Sequence, residues 1–374
     1  MGQRILGFIK KETVLAVALL LAVISCGFVT PDKRYMEYID WRVLAILLSL
    51  MIIMAGFQQN GIFDRIGYML LEHTKNTAQL CWVLVFLCYF CSMFITNDVA
   101  LLTFVPFAML TLRKCSQERI MIPVLVLQTI AANLGSMLTP IGNPQNLYLY
   151  NRMEMSLGEF ISELLPYAGA SAFLLALIIL ILTVRKEAIT IRDIRSVQNG
   201  NRKLTVVYTV LFVFMLFVVA RLLPYQPVLV MIVGIVFWMD RKTLWQVDYC
   251  LIFTFIAFFV FTGNLGRIPV FRSTLQELVS GNEIWVGIAA SQFISNVPAA
   301  LLLADFADDL KKLLLGVNIG GLGTLIASVA SLISYKIYAH NYNRTKGLYL
   351  AWFTAGNVLF LAVLAFMAVC MQNE

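Results

Sequence analysis

Phe94-Ile95-Thr96-Asn97-Asp98 and Phe293-Ile294-Ser295-Asn296-Val297 repeat one phrase, a hydroxyl and an amide after Phe-Ile, at a spacing of 199 positions. Each phrase breaks the middle of a long apolar stretch, 79–111 in the first half and 283–310 in the second. Polar groups at the centre of such a run are costly in hydrocarbon, which offers no water to bind them. Both stretches therefore read as re-entrant hairpins whose tips stop at membrane depth, where non-helical backbone persists only inside protein or along a cavity. Ala100 and Leu102 fall on Ala299 and Leu301 at the same offset. At an offset of 185, Asn133, Gly135, Thr139, Ile141 and Leu147 fall on Asn318, Gly320, Thr324, Ile326 and Leu332. Asp40 and Asp248 each open an apolar run. Leu and Ile coincide by chance in any apolar chain, so the weight rests on the tips and on the Asn-x-Gly-x-x-x-Thr pattern.

The whole chain fits that reading. Of 374 residues, 60% are hydrophobic and 13% charged, and the mean hydropathy is +0.83. A soluble domain is nearer half apolar and a quarter charged, so soluble, disordered and collagen-like classes are excluded. Six Trp suit repeated passages through the membrane interface. The net charge of +7 lies in short loops between apolar runs, where it sets topology and makes no nucleic-acid patch. The seven Cys sit in or beside apolar runs and read as small hydrophobes, and the Cys88-x-x-Cys91 pair has no second Cys or His pair to complete a metal site. The run from Val14 to Val29 lacks a small-residue cleavage site and reads as the first span.

Full crossings are expected near 13–29, 41–57, 120–150, 159–184, 204–222, 225–239, 248–266, 314–337 and 347–371. With the N-terminus in the cytoplasm, 19 of the 28 Lys and Arg fall inside, as the positive-inside rule requires. Six of them occupy 185–203, the natural boundary between two halves. The expected domains are a first repeat at 1–184 with a hairpin at 79–111 and a broken helix at 120–150; a loop and linker helix at 185–222; and a second repeat at 223–374 with a hairpin at 283–310 and a broken helix at 314–337. The linker helix adds one crossing, so the second copy runs through the membrane inverted. An all-α polytopic membrane protein with an inverted repeat, re-entrant hairpins and broken helices is the pattern of a secondary transporter with its site at the midplane.

The breaks carry the candidate chemistry. In Thr139-Pro140-Ile141-Gly142-Asn143-Pro144-Gln145-Asn146 the prolines remove donors and interrupt the helix. Thr139, Asn143, Gln145 and Asn146 supply uncharged donors and acceptors. Either they serve a ligand or they satisfy a kink within the bundle, and four polar groups at depth favour the ligand. In Thr324-Leu325-Ile326-Ala327-Ser328-Val329-Ala330-Ser331, the small polar residues fit either binding or close helix packing. Half-helix N-termini meeting at the midplane suit an anion; C-termini and unwound carbonyls suit Na+. Asp98, matched by Val297, is expected to be a cation ligand or protonatable coupling group, or else a helix cap. Asp305, Asp308 and Asp309 read as solvated or interfacial beside Lys311 and Lys312, and His73 and His340 as lying in polar connections.

Thr96-Asn97-Asp98, Thr139 to Asn146 and Ser295-Asn296, in order over nearly the whole chain, resemble the ion transporter superfamily of divalent anion/sodium symporters, citrate permeases, arsenite-pump permeases and one class of sodium/proton antiporters. Asn97-Asp98-Val99-Ala100-Leu101-Leu102 with Pro106 is most similar to the arsenite-permease branch. The resemblance implies a bacterial inner-membrane protein that moves its substrate by elevator-like motion of a hairpin domain, often as a homodimer. It implies one cation site at Thr96, Asn97, Gly142 and Asn143 and another at Ser295, Asn296 and Ala327, with Asn97, Thr139, Asn296 and Thr324 facing substrate. Asp98 and Val297 stand where it expects Thr, and the second break lacks a Gly-Thr-Pro-type pattern, which leaves dicarboxylate specificity and the second Na+ site open.

The expected substrate-binding set is therefore Asn97, Thr139, Asn143, Asn146, Asn296, Thr324 and Ser328. The expected coupling set is Thr96, Asn97, Asp98, Gly142, Asn143, Ser295, Asn296 and Ala327, with Na+ at Thr96, Asn97, Asp98 and Gly142. No cofactor is expected beyond Na+ or H+ as coupling ion. The partners are a small anion, carboxylate or oxyanion, and the lipid bilayer. A sodium/proton antiporter of the same fold is the alternative. An anion channel would need a continuous polar pore or charged ring. An enzyme would need a nucleophile–base pair or metal ligands, which no apolar run supplies.

Overall fold

The computed structural model describes residues 12–184, 187–189 and 200–372. Arg4, Lys10, Lys11, Arg185, Lys186, Arg192 and Arg195, seven of the charges behind the expected orientation, lie outside them. The described residues are helical throughout, apart from turns, connections and one isolated bridge between Asn76 and Ala188.

The first half contains α1 (Thr13–Cys26), the short α2 (Tyr35–Tyr38), α3 (Trp41–Gln59), α4 (Ile62–Leu71), α5 (Thr77–Cys91), α6 (Asn97–Lys114), α7 (Met121–Ser136), α8 (Pro144–Arg152) and α9 (Leu157–Leu182). A linker, α10 (Arg202–Val219), precedes α11 (Tyr225–Leu244), α12 (Tyr249–Arg267), α13 (Pro269–Val279), α14 (Glu283–Ile294), α15 (Asn296–Leu303), α16 (Leu310–Gly320), α17 (Val329–Asn341) and α18 (Lys346–Gln372). Among the described residues six helical segments are long and apolar enough to cross a membrane: 41–59, 118–136, 157–182, 202–219, 249–267 and 343–371. The chain is an all-α polytopic membrane protein.

Both apolar stretches are broken into two helices at their polar centres. The 15-residue α5 is about 22 Å long, short of the roughly 30 Å hydrocarbon layer. It ends at Ser92, and α6 starts afresh at Asn97. α14 and α15 are shorter still and meet at Ser295, whose φ of 73° is one that non-glycine residues rarely adopt. The two expected broken helices are broken. α7 stops at Ser136 and α8 begins with Pro144 at its first turn, where a missing N–H costs nothing. α16 stops at Gly320 and α17 begins after Ser328, running past the expected end at 337 and taking His340 into its last turn.

The halves share the hydrogen bonds that tie each tip to its break. Asn97 N–H donates to Gly142 O at 3.2 Å, and Asn296 N–H to Ala327 O at 2.9 Å. The Thr139 hydroxyl donates to Met93 O, and that of Thr324 to Gln292 O at 3.0 Å. Each threonine oxygen also accepts a main-chain N–H three residues on, Gly142 and Ala327 respectively, at 3.2 Å. Asp40 caps α3 through Val43 N–H at 3.0 Å, and Asp248 caps α12 through Cys250 N–H at 3.1 Å. Packing is matched too: α5 lies on α7 as α14 lies on α16, while α1 packs on α12 and α11 on α3. All sixteen residues of α7 are buried, which is why it carries Gln128, Thr129, Asn133 and Ser136 without exposing them to lipid.

Candidate functional site

Both tips and both breaks meet on one cavity of about 210 Å³. Asn97 and Asp98 come from the first tip, Asn296, Val297 and Pro298 from the second, Asn143 and Pro144 from the first break, and Ser328, Val329 and Leu332 from the second. The wall continues past Lys336 on α17 to Asp248, Cys250, Leu251 and Thr254 of α12 and to residues 12–15 at the start of α1. Besides α1 and α12, the four helices that start at the tips and breaks, α6, α8, α15 and α17, begin on this cavity, so their partial positive ends converge there, with the Asn97 and Asn296 N–H groups already paired to Gly142 O and Ala327 O.

The expected site residues divide into three groups. Asn97, Asp98, Asn143, Asn296 and Ser328 line the cavity. Thr139, Asn146 and Thr324 lie off its wall and bind backbone instead. Asn146 Nδ2 reaches Ser136 O, Met137 O and Thr139 O, each at 3.2 Å. Thr324 is exposed, with its N–H on Gln292 Oε1 at 2.9 Å. Thr96, Gly142, Ser295 and Ala327 form the backbone behind the tips, where Ala327 O also accepts the Ser295 hydroxyl at 3.4 Å. A polar residue type thus marks the site region from sequence alone, but not whether its side chain faces a ligand or ties down a bend.

Asp98 is partly buried, and its carboxylate has neither hydrogen-bond nor ion-pair partner among the described residues. It does not cap α6: its own N–H donates to Asn97 Oδ1 at 2.9 Å. Asp248 shares the cavity, a placement that its role as a repeat marker did not announce. Gln145, singled out in the first break, is fully buried, and neither amide atom is hydrogen-bonded among the described residues.

Behind the wall the halves are stitched together by amides. Asn133 Oδ1 accepts from Asn97 Nδ2 at 3.0 Å and from the Ser328 hydroxyl at 2.9 Å. Asn318 Nδ2 donates to Asn146 Oδ1 at 2.7 Å and Thr129 to Ser334 at 2.8 Å. Gln292 bonds Gly320 O at 2.9 Å and Leu322 O at 3.0 Å, holding the second break where no proline does so. Its match in the first half is Met93, so the repeat gave no hint of it.

The other end of the bundle holds a second cavity of about 200 Å³, lined by Asp40, Tyr148, Arg152, Thr262 and Asp305 among others, and is crossed by polar contacts. Asn151 Nδ2 donates to Asp40 at 2.6 Å. Asp305 is exposed, as expected of a solvated or interfacial group, and pairs with Arg152 at 2.6 Å. Asp309 caps α16 through the N–H groups of Lys311 and Lys312, at 2.9 and 3.2 Å, and Asp308 accepts the Ser280 hydroxyl. Arg221, after α10, donates to Tyr150 O at 2.9 Å and Met153 O at 2.6 Å, with its guanidinium 4.9 Å from the Tyr150 ring centre.

Comparison with known proteins agrees with this architecture. The sequence model described as "Citrate transporter" matches residues 5–314. The inner membrane protein YbiR of Escherichia coli is 31% identical over 328 residues, 85% of this chain and 86% of that protein. An uncharacterized transporter of Methanocaldococcus jannaschii is 31% identical over 326 residues, 86% and 87% of the two chains. The P protein of Mus musculus is 29% identical over 186 residues, 47% of this chain and 21% of its own. The chain is a multi-pass membrane transporter and belongs to the citrate transporter family.

Proposed function

We propose that the protein is a secondary active transporter of a small anion, a carboxylate or inorganic oxyanion, coupled to Na+ or H+ by alternating, elevator-type access. The observation that carries this reading is the meeting of four helix N-termini with Asn97, Asn143, Asn296 and Ser328 on one cavity between the halves. The amides give direction, and the helix ends together with Lys336 on the wall give charge complementarity to an anion. With the N-terminus cytoplasmic, the cavity faces inward and the Arg221 clamp closes the outer side. Proteoliposomes under imposed gradients test the reading with labelled citrate, succinate, sulfate and arsenite. Uptake of one of these that follows a Na+ or pH gradient supports it; uptake indifferent to both counts against coupling.

The unpaired Asp98 carboxylate, sharing a cavity with Asp248, favours a second reading, a sodium/proton antiporter without organic substrate. Asp98→Asn separates the two. In an anion symporter it removes gradient-driven uptake but leaves counterflow exchange of the anion. In an antiporter it removes all transport, read as lost Na+-dependent proton movement with a pH-sensitive dye.

Alternating access also predicts that Arg221→Ala loosens the outer closure. Hydrogen bonds from a charged donor are worth about 1.5–3 kcal/mol, enough to shift a two-state population roughly tenfold. Thr254→Cys in a cysteine-free background should then react more slowly with an impermeant thiol reagent added from inside, by up to about tenfold. An unchanged rate removes Arg221 from the closure.

A further inference from the structure

We propose that Asn133, which does not line the cavity, is a positioning residue: it fixes the hydrogen-bonding direction of two cavity groups, Asn97 and Ser328, that come from opposite halves. The inference deepens the transport reading above and depends on it for the kinetic arm of its test. Asn133 sits on α7 and is 4% exposed. Its Oδ1 accepts from both groups, at 3.0 and 2.9 Å, while its Nδ2 donates to Ser331 Oγ at 3.2 Å.

The consequence follows from counting protons. A serine hydroxyl has one, and that of Ser328 is committed to Asn133, so Ser328 can meet a ligand only as an acceptor. The Asn97 amide is fixed in the same way. Nδ2 points at Asn133, and Oδ1 accepts the N–H of Asp98 at 2.9 Å. Turning the amide over would set oxygen against oxygen at Asn133 and donor against donor at Asp98, so the network selects one orientation. One asparagine thereby assigns the polarity of the wall beside Asp98.

The second half has no equivalent. Asn318 matches Asn133 in sequence, yet its Nδ2 goes to Asn146 Oδ1 at 2.7 Å and Leu314 O at 2.9 Å, away from the second tip. Among the described residues the Asn296 side chain is held by a single long contact, from the Ser295 hydroxyl at 3.4 Å. The first tip is thus preset and the second adaptable. The matched pair supplies a control, because both asparagines bridge the halves but only Asn133 reaches the cavity groups.

The test uses the full-length protein in proteoliposomes with the four labelled anions named above, comparing wild type, Asn133→Ala, Ser328→Ala, the double variant and Asn318→Ala. Acceptor oxygens suit the coupling cation and not the anion, so their loss should raise KM for Na+, titrated at fixed anion, about tenfold in Asn133→Ala, with Vmax changed less than about threefold. The double variant should be no more than about threefold worse than Asn133→Ala, since one residue acts through the other. Asn318→Ala should lower the melting temperature and leave KM in place. Equal thermal losses in Asn133→Ala and Asn318→Ala with KM unmoved in both would overturn the proposal. If wild type takes up none of the four anions, the transport reading fails for them, and cryo-EM maps of wild type and Asn133→Ala decide the inference separately. Rotated Asn97 and Ser328 side chains uphold it; side chains in their wild-type places refute it.

Discussion

Asn296→Ala should reduce uptake about a hundredfold while the protein remains folded. The side chain is 4% exposed, lines the cavity, and stands at the N-terminus of α15. Its only side-chain hydrogen bond among the described residues is the 3.4 Å contact from Ser295. The tip itself is held by main chain, Asn296 N–H on Ala327 O at 2.9 Å, and alanine keeps that bond. What the substitution removes is the amide available to a ligand. An unmade hydrogen bond to a charged partner is worth about 1.5–3 kcal/mol, which is roughly ten- to a hundredfold. Placement beside a helix N-terminus puts the expectation at the upper end. Uptake kinetics paired with a melting curve check it. A variant that melts like wild type and transports within threefold of it removes Asn296 from the site.

Sequence reading reached the tips and breaks because their residue types are improbable where they stand. An Asn at the centre of an apolar run announces itself by cost, and two of them 199 positions apart announce a repeat. The same logic cannot say which way a side chain turns. Thr139, Asn146 and Thr324 are as improbable as Asn97, yet their polar atoms hold backbone, because an interrupted helix leaves carbonyls and N–H groups that something must satisfy. Asp248 and Lys336 stayed hidden for the opposite reason. They sit near span ends, where charge is cheap and ordinarily topogenic, and only the packing of α12 and α17 brings them to the cavity wall. Asn133 was visible as a repeat marker, but its role depends on Ser328, 195 positions away.

Gly135→Ala should be severely damaging, and its match Gly320→Ala milder. Both glycines lie where a hairpin arm crosses a broken helix, α5 on α7 and α14 on α16. A Cβ on Gly135 would stand 2.1 Å from Tyr89 O and 2.6 Å from Ser92 Oγ. The carbonyl belongs to helical backbone and cannot turn aside, so α5 and α7 must separate. Tyr89 and Ser92 also carry the last turn before the first tip, with Ser92 Oγ donating to Tyr89 O at 2.9 Å. A Cβ on Gly320 meets Ser291 Cβ and Oγ at 2.8 Å and Ile288 Cα at 2.9 Å, a smaller overlap that a slight helix shift relieves. Overpacking costs about 1–3 kcal/mol where the surroundings can move and more where they cannot. Gly320→Ala is therefore expected to purify folded with a lowered melting temperature, and Gly135→Ala to aggregate on extraction or to melt well below it. Equal melting temperatures for the two variants would show that α5 yields as readily as α14, and that the first tip is not held more rigidly than the second.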